Sequence, residues 1–176
     1  QLGGLPTTQF GALSTTGLAA LTASQIGGLT TTAVGSLGTT NLRALSTTQV
    51  GGLTETQIAG LSTANIAALT TTQVAALSAK QLIALTTAQV SALTTTTLGA
   101  ITSTQIASLE VADVAALSTA SLAALTTTQV AGLTATQIAG LTTSQAAALT
   151  TTMVGGLSAT QIKALEVLDL KQLSTS

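Results

Sequence analysis

The sequence predicts an all-α protein, a repeat solenoid of very short capped helices with an eight-residue repeat. An aliphatic residue recurs every eight positions from Leu5 to Leu173, 22 times without insertion or deletion. Ser or Thr follows it in 17 of the 21 complete octads, and Gln stands three residues further on in 12 of them. We therefore expect one domain, 1–176, whose complete octads fill residues 6–173.

The octad consensus is T-T-T-Q-V-A-A-L, and we number its residues one to eight. A continuous helix does not fit this period, because eight residues at about 100° each overshoot two turns by about 80°. A strand fits poorly, because positions five and eight would point to opposite faces of a sheet. The period therefore predicts a helix that starts again in every octad.

Each helix is expected to start at position one, where a Ser or Thr hydroxyl accepts from a backbone N–H of the first turn. Position four is then the third helical residue, and S/T-x-x-Q is the capping-box pattern. The leucine before position one and the aliphatic residue at position five form a hydrophobic staple. The cap residues on which this prediction centres are Thr70, Gln73, Ser78 and Gln81, with Glu110, Asp113, Glu166 and Asp169 as acidic equivalents.

Positions five and eight lie three residues apart and share one face of the short helix, so both are expected in the core. Charged residues occur at positions one, two, three, four and six, and never at five, seven or eight. Position seven, usually Ala or Gly, is expected to make a close contact, and positions one to four are expected at the surface. The predicted core residues are Leu69, Val74, Leu77, Leu82, Leu85, Val90 and Leu93.

One octad cannot close a turn of a solenoid. A helix of about six residues spans roughly 9 Å, and a corner of one or two residues cannot bring the chain back over that distance. Two or three octads per coil could close it, and we favour two. About ten stacked layers, and a rod of about 80–100 Å, follow from that choice.

Composition argues against catalysis. The chain has no His and no Cys, so the commonest bases, nucleophiles and zinc ligands are missing, and we expect no enzyme activity and no cofactor. Glu110 with Asp113, and Glu166 with Asp169, are spaced as carboxylate pairs that could bind Ca²⁺. We interpret them as helix caps, because each pair replaces Thr and Gln of the capping box and calcium needs six to eight oxygens.

Composition also limits the partners. Only four residues are basic and the net charge is −1, so nucleic acid is not an expected partner. Polar residues interrupt every apolar run before it reaches the length of a membrane-spanning helix, so no membrane insertion is expected. Nothing in the repeat predicts a small-molecule substrate. The sequence starts at Gln1, which suggests a processed protein or a segment of a longer one.

Phrases such as "ALTTTQVAAL" and "GLTATQIAGL" resemble the Thr/Gln/Ala/Leu octapeptide stretches of very large bacterial secreted and surface proteins, many of them labelled adhesins or haem-utilisation proteins. The resemblance covers nearly the whole chain. It implies an extracellular or cell-surface location in bacteria and a mechanical or scaffolding role. Haem binding is not expected, because Met153 is the only candidate axial ligand among His, Cys, Tyr and Met residues.

These observations predict the structural subunit of an extracellular filament or matrix fibre. The repeat pattern runs to both ends of the sequence, so apolar layer faces are expected there, and head-to-tail stacking with other copies of the chain would follow. Two alternatives remain: the stalk of a large surface adhesin, and an ice-binding protein with a Thr-rich face such as Thr94 to Thr97.

Overall fold

The computed structural model describes residues 13–165, which are helical with short corners. The chain divides into two compact units, 1–93 and 94–176. The helices of the first unit are α1 Thr15–Ala19, α2 Ala23–Gly27, α3 Thr31–Gly35, α4 Thr39–Ala44, α5 Thr47–Gly51, α6 Glu55–Ala59, α7 Thr63–Ala67, α8 Thr71–Ala75, α9 Ala79–Ile83 and α10 Thr87–Ser91. Those of the second are α11 Thr95–Leu98, α12 Ser103–Ser108, α13 Val111–Ala116, α14 Thr119–Ala123, α15 Thr127–Ala131, α16 Ala135–Ala139, α17 Thr143–Ala147 and α18 Thr151–Gly155, and residues 159–165 are also helical. The predicted all-α repeat solenoid is confirmed; its continuity from 6 to 173 stays a prediction.

Each of the helices α1–α18 has its N-cap at position one, begins at position two and ends at position five, six or seven. Thr70 is typical: its backbone is extended, at φ −76° and ψ 161°, and its hydroxyl accepts from the N–H of Gln73. The next cap, Ser78, is again extended and stops the helix from continuing. Among the described residues none has a positive φ, so the corners need no glycine in the left-handed region, and Ala serves at position seven as well as Gly.

The core consists of positions five and eight, as the spacing predicts. The seven residues expected there, from Leu69 to Leu93, are between 0 and 4% exposed. Position five lies on the helix and position eight lies in the corner, so each octad contributes one core residue from its helix and one from its corner.

Three octads, not two, make one coil. In the first unit each helix packs against the third helix along the chain, from α1 with α4 to α7 with α10. The second unit repeats this rule from α11 with α14 to α15 with α18. Our preference for two octads is therefore wrong. A coil of two helices needs a reversal of chain direction at every corner. These corners lack left-handed residues and lead directly into an extended cap residue. A third helix is therefore required before the chain returns.

Position seven makes the close contact that its small residues predict. A Cβ atom added to Gly52 would lie 2.6 Å from the carbonyl oxygen of Ala23, one coil earlier. Gly132 faces Ser103 in the same way, and its added Cβ would lie 2.6 Å from the Ser103 Cβ. Position seven of one coil thus packs on position two of the preceding coil, 29 residues before it.

Candidate functional site

In most of the described octads the side chain at position four is buried, where we expected surface exposure. Gln57, Gln73 and Gln137 are each 2% exposed, and Gln145 is 1% exposed. The prediction that positions one to four form the surface is therefore wrong for position four. A polar group that leaves water must find hydrogen-bond partners inside the protein, and each buried glutamine finds them in two coils at once.

Gln73 shows the arrangement. Its Oε1 accepts from the backbone N–H of Thr70, its own helix cap, at 2.9 Å. Its Nε2 donates to the carbonyl oxygens of Leu42 and Leu45 in the preceding coil, both at 2.8 Å. One amide therefore completes the cap of its own helix and also binds the corner that follows a helix of the preceding coil. We call this three-way contact the glutamine bridge.

The bridge recurs with fixed spacing. Its acceptors are the position-eight carbonyl 28 residues earlier and, for most bridges, the position-five carbonyl 31 residues earlier. Gln161 uses carbonyls 28 and 30 residues earlier. Within the first unit the bridging glutamines are Gln49, Gln57, Gln73, Gln81 and Gln89, and within the second they are Gln129, Gln137, Gln145 and Gln161.

Backbone chemistry explains why glutamine suits this position. A position-eight carbonyl follows one helix and precedes the cap of the next, so it lies outside the intrahelical hydrogen-bond ladder. The N–H of the position-one residue is also outside that ladder. Glutamine carries an acceptor and two donors on one group of sufficient reach, and so satisfies both. In the part of the chain that the structure describes, no buried side-chain nitrogen or oxygen lacks a hydrogen-bond partner.

Shorter side chains at position four make only part of the bridge. Asn65 donates to the Leu37 carbonyl, 28 residues earlier, at 3.0 Å, and its Oδ1 accepts from the Ser62 hydroxyl instead of the backbone. The Thr97 hydroxyl donates within its own octad, to the carbonyl of Thr94 at 3.0 Å. The length of the side chain therefore decides how far position four reaches into the preceding coil.

The predicted caps fall into three groups. Thr70 with Gln73, and Ser78 with Gln81, form complete capping boxes. Glu110 stands at the start of α13 but makes no capping hydrogen bond with its side chain, and Asp113 is 2% exposed. The prediction that the Glu110 side chain caps this helix is therefore wrong. Its carboxylate is carried on a longer chain than a Ser or Thr hydroxyl, which suits this position poorly. Glu166 and Asp169 lie outside the described residues.

Two further features of the described residues concern binding. Residues 13–165 contain no group of three or more carboxylate, His or Cys side chains placed to hold a metal ion, and no helix long and apolar enough to cross a membrane. A half-open apolar cavity of about 310 Å³ lies beside Ala146, with Leu149, Val154 and Leu165 in its lining. Ala146 stands at position five, where the other described octads carry a branched aliphatic side chain.

Comparison with known proteins gives one result. The ALTTAQ repeat family matches residues 1–31, 34–63, 56–87 and 106–143, which together exceed half of the chain. Residues 84–89 spell ALTTAQ, and in the structure the first threonine of this stretch, Thr86, caps α10 while Gln89 forms a bridge. No curated protein and no solved structure matches the chain. The chain is a Thr-rich repeat protein that belongs to the ALTTAQ repeat family.

Proposed function

We propose that the protein is the structural subunit of an extracellular filament or matrix fibre, built by head-to-tail stacking of its coils. The observation that carries this proposal is the direction of the glutamine bridge. Each bridging coil donates from Nε2 to the coil before it, as Gln81 does to Val50 and Leu53. Its own carbonyls accept from the coil after it.

A surface that donates on one side and accepts on the other is complementary to itself. Such a contact between copies is heterologous, and a heterologous contact that does not close into a ring produces a filament. The described coils also bury Leu and Val or Ile side chains at positions five and eight, which supplies an apolar contribution. The repeat thus supplies both the polar and the apolar parts of a junction between copies.

Other parts of the proposal rest on composition and resemblance. Charged residues are 5% of the chain, which supports self-association over binding to nucleic acid. The proposed setting, outside a bacterial cell or on its surface, rests on the resemblance to repeats of large secreted proteins. We propose neither catalysis nor a cofactor for this chain.

A stalk segment of a large surface adhesin is the second candidate. The glutamine bridge favours it too, because the same stacking can extend within one long chain. A Thr-faced ice-binding protein is a further candidate. Thr47 and Thr48 start α5, Thr71 and Thr72 start α8, and these helices are neighbours in the first unit, so their hydroxyl-bearing residues stand in adjacent coils.

Electron microscopy of the purified 176-residue chain tests the proposal. We expect long unbranched filaments with an axial layer repeat of about 8–10 Å, the distance between packed helices. Short rods that never join at any concentration would contradict the filament proposal and favour the stalk. Thermal hysteresis measured on the same sample separates the ice-binding candidate, which would depress the freezing point below the melting point.

A further inference from the structure

Three departures from the octad pattern meet at one surface of the first unit. Ile83 is the only apolar residue larger than Ala at position six of the 21 octads. Glu55 is the only charged residue at position two, and Lys80 is the only one at position three. These three side chains line one shallow, open cavity of about 260 Å³, and we call the surface that they form the side patch.

The stacking of two helices assembles the side patch. Glu55 is the first residue of α6, whereas Lys80 and Ile83 lie three residues apart on α9, in the next coil. The helix α6 packs against α9 on one side and against α3, in the coil before, on the other. Because α6 has a stacking neighbour on both sides, the side patch lies on the flank of the stacked coils and not on a face that a further coil covers.

The side patch combines an exposed apolar group with two opposite charges. Ile83 is 47% exposed, whereas Leu82 beside it is fully buried in the core. Glu55 and Lys80 are both exposed. Ala is the commonest residue at position six, so the fold itself does not require an aliphatic side chain there. Apolar residues next to charged ones at the surface are typical of a contact between proteins.

Size and charge together select the occupant of the side patch. Small-molecule sites usually enclose about 300–1,000 Å³, and this open cavity of about 260 Å³ suits a single aliphatic side chain better. One negative and one positive group stand beside it, so the complementary surface carries the same two groups in reverse order. A second copy of this chain, related by a two-fold axis, presents that surface.

We propose that the side patch is a two-fold contact through which two copies of the chain pair side by side. Glu55 of each copy lies opposite Lys80 of the other, and the two Ile83 side chains meet because all three groups line one cavity. The contact is small, so the pair is weak between free chains and gains strength where many copies are aligned. It goes beyond the proposed head-to-tail stacking, since it uses the flank of the coils.

Charge reversal tests the identity of the partner. Glu55→Lys gives each patch two positive charges and Lys80→Glu gives it two negative ones, so each variant alone should pair about tenfold or more weakly than the wild type. An equimolar mixture of the two variants should pair again. Arg43→Glu, an equal change of charge on the exposed α4, should pair like the wild type. Sedimentation equilibrium of dilute chains, free of filaments by electron microscopy, measures the association.

Ile83→Ala tests the apolar part of the contact. It introduces the commonest residue of position six at an exposed site, so we expect an unchanged thermal midpoint and pairing that is about tenfold or more weaker. The chain has no cysteine, so a single one can report the contact. On mild oxidation Ile83→Cys should form disulfide-linked dimers, and Ala123→Cys, at an exposed position six of the second unit, should not.

The outcomes separate this contact from the proposed filament. Wild-type chains that stay monomeric at about 1 mM would overturn the pairing, and so would a mixture of Glu55→Lys and Lys80→Glu chains that does not pair. Filaments of Ile83→Cys chains that oxidise no faster than those of Ala123→Cys chains would overturn the pairing and leave the filament proposal intact. Specific Ile83→Cys dimers in a sample that never forms filaments would support the pairing and contradict the filament proposal.

Discussion

At the scale of the residue, one side chain links local and long-range structure. The Oε1 of Gln73 completes a capping box with a residue three positions away, and this half of its role follows from the S/T-x-x-Q pattern. The Nε2 binds carbonyls 28 and 31 residues away, and no local pattern predicts that half. For the same reason the sequence indicated an exposed Gln73 where the structure buries it.

The bridge predicts that one substitution changes the free energy of unfolding by different amounts at two equivalent positions. Gln73→Glu keeps the cap acceptor but removes both donors and places a carboxylate against two carbonyl oxygens. We expect a loss of about 2–4 kcal/mol in the free energy of unfolding. Gln25→Glu, at an exposed position four, should change it by less than about 0.5 kcal/mol. Urea denaturation followed by circular dichroism measures both, and equal losses would show that the hydrogen bonds donated by the Gln73 Nε2 do not account for the loss.

At the scale of the element, helices of four to six residues persist because both ends and one face are fixed. Isolated helices shorter than about 12 residues are marginal in water, since nucleation is costly. Here each helix has a cap, an aliphatic residue at position five in the core and a close contact at position seven. The sequence predicts all three features, because their partners lie within one octad or follow from residue size.

Adjacent glycines in α5 and its corner test the close contact. Gly51 is exposed, with no atom within 4 Å of an added Cβ, so Gly51→Ala should raise the free energy of unfolding by about 0.5–1 kcal/mol through helix propensity. Gly52→Ala should lower it by about 1–3 kcal/mol, because its Cβ would lie 2.6 Å from the Ala23 carbonyl oxygen. Thermal melting of the two variants checks the signs. A stabilised Gly52→Ala chain would mean that coil spacing relaxes freely.

At the scale of the whole molecule, the octad is the unit that can be exchanged. Every helix packs on the third helix along within each unit, and each bridge needs only the correct separation. Stability in such a repeat is approximately a sum of repeat and neighbour terms. The molecule should therefore tolerate changes in length by whole octads and not by fractions of one.

Two deletions test this unit. Removal of residues 70–77 takes out one octad, leaves the other caps and core positions in phase, and allows bridges to form again at 28 and 31 residues. We expect a cooperative fold that is less stable by about 1 kcal/mol. Removal of residues 70–73 takes out fewer residues but brings position five directly after position eight, so local helix and bridge should be lost. Circular dichroism and limited proteolysis compare them, and equal damage would refute the octad as the unit.

The sequence by itself determined the octad: where helices start, which residues enter the core, and why small residues stand at position seven. These features depend on contacts three or four residues apart, such as Thr70 with Gln73, and an eight-residue pattern contains them fully. Only the tertiary structure decided that three octads make a coil and that position four is buried. Because all octads are alike, the pattern is the same for two or three per coil. The number of octads per coil is decided by the corners and by the bridges that span 28 to 31 residues.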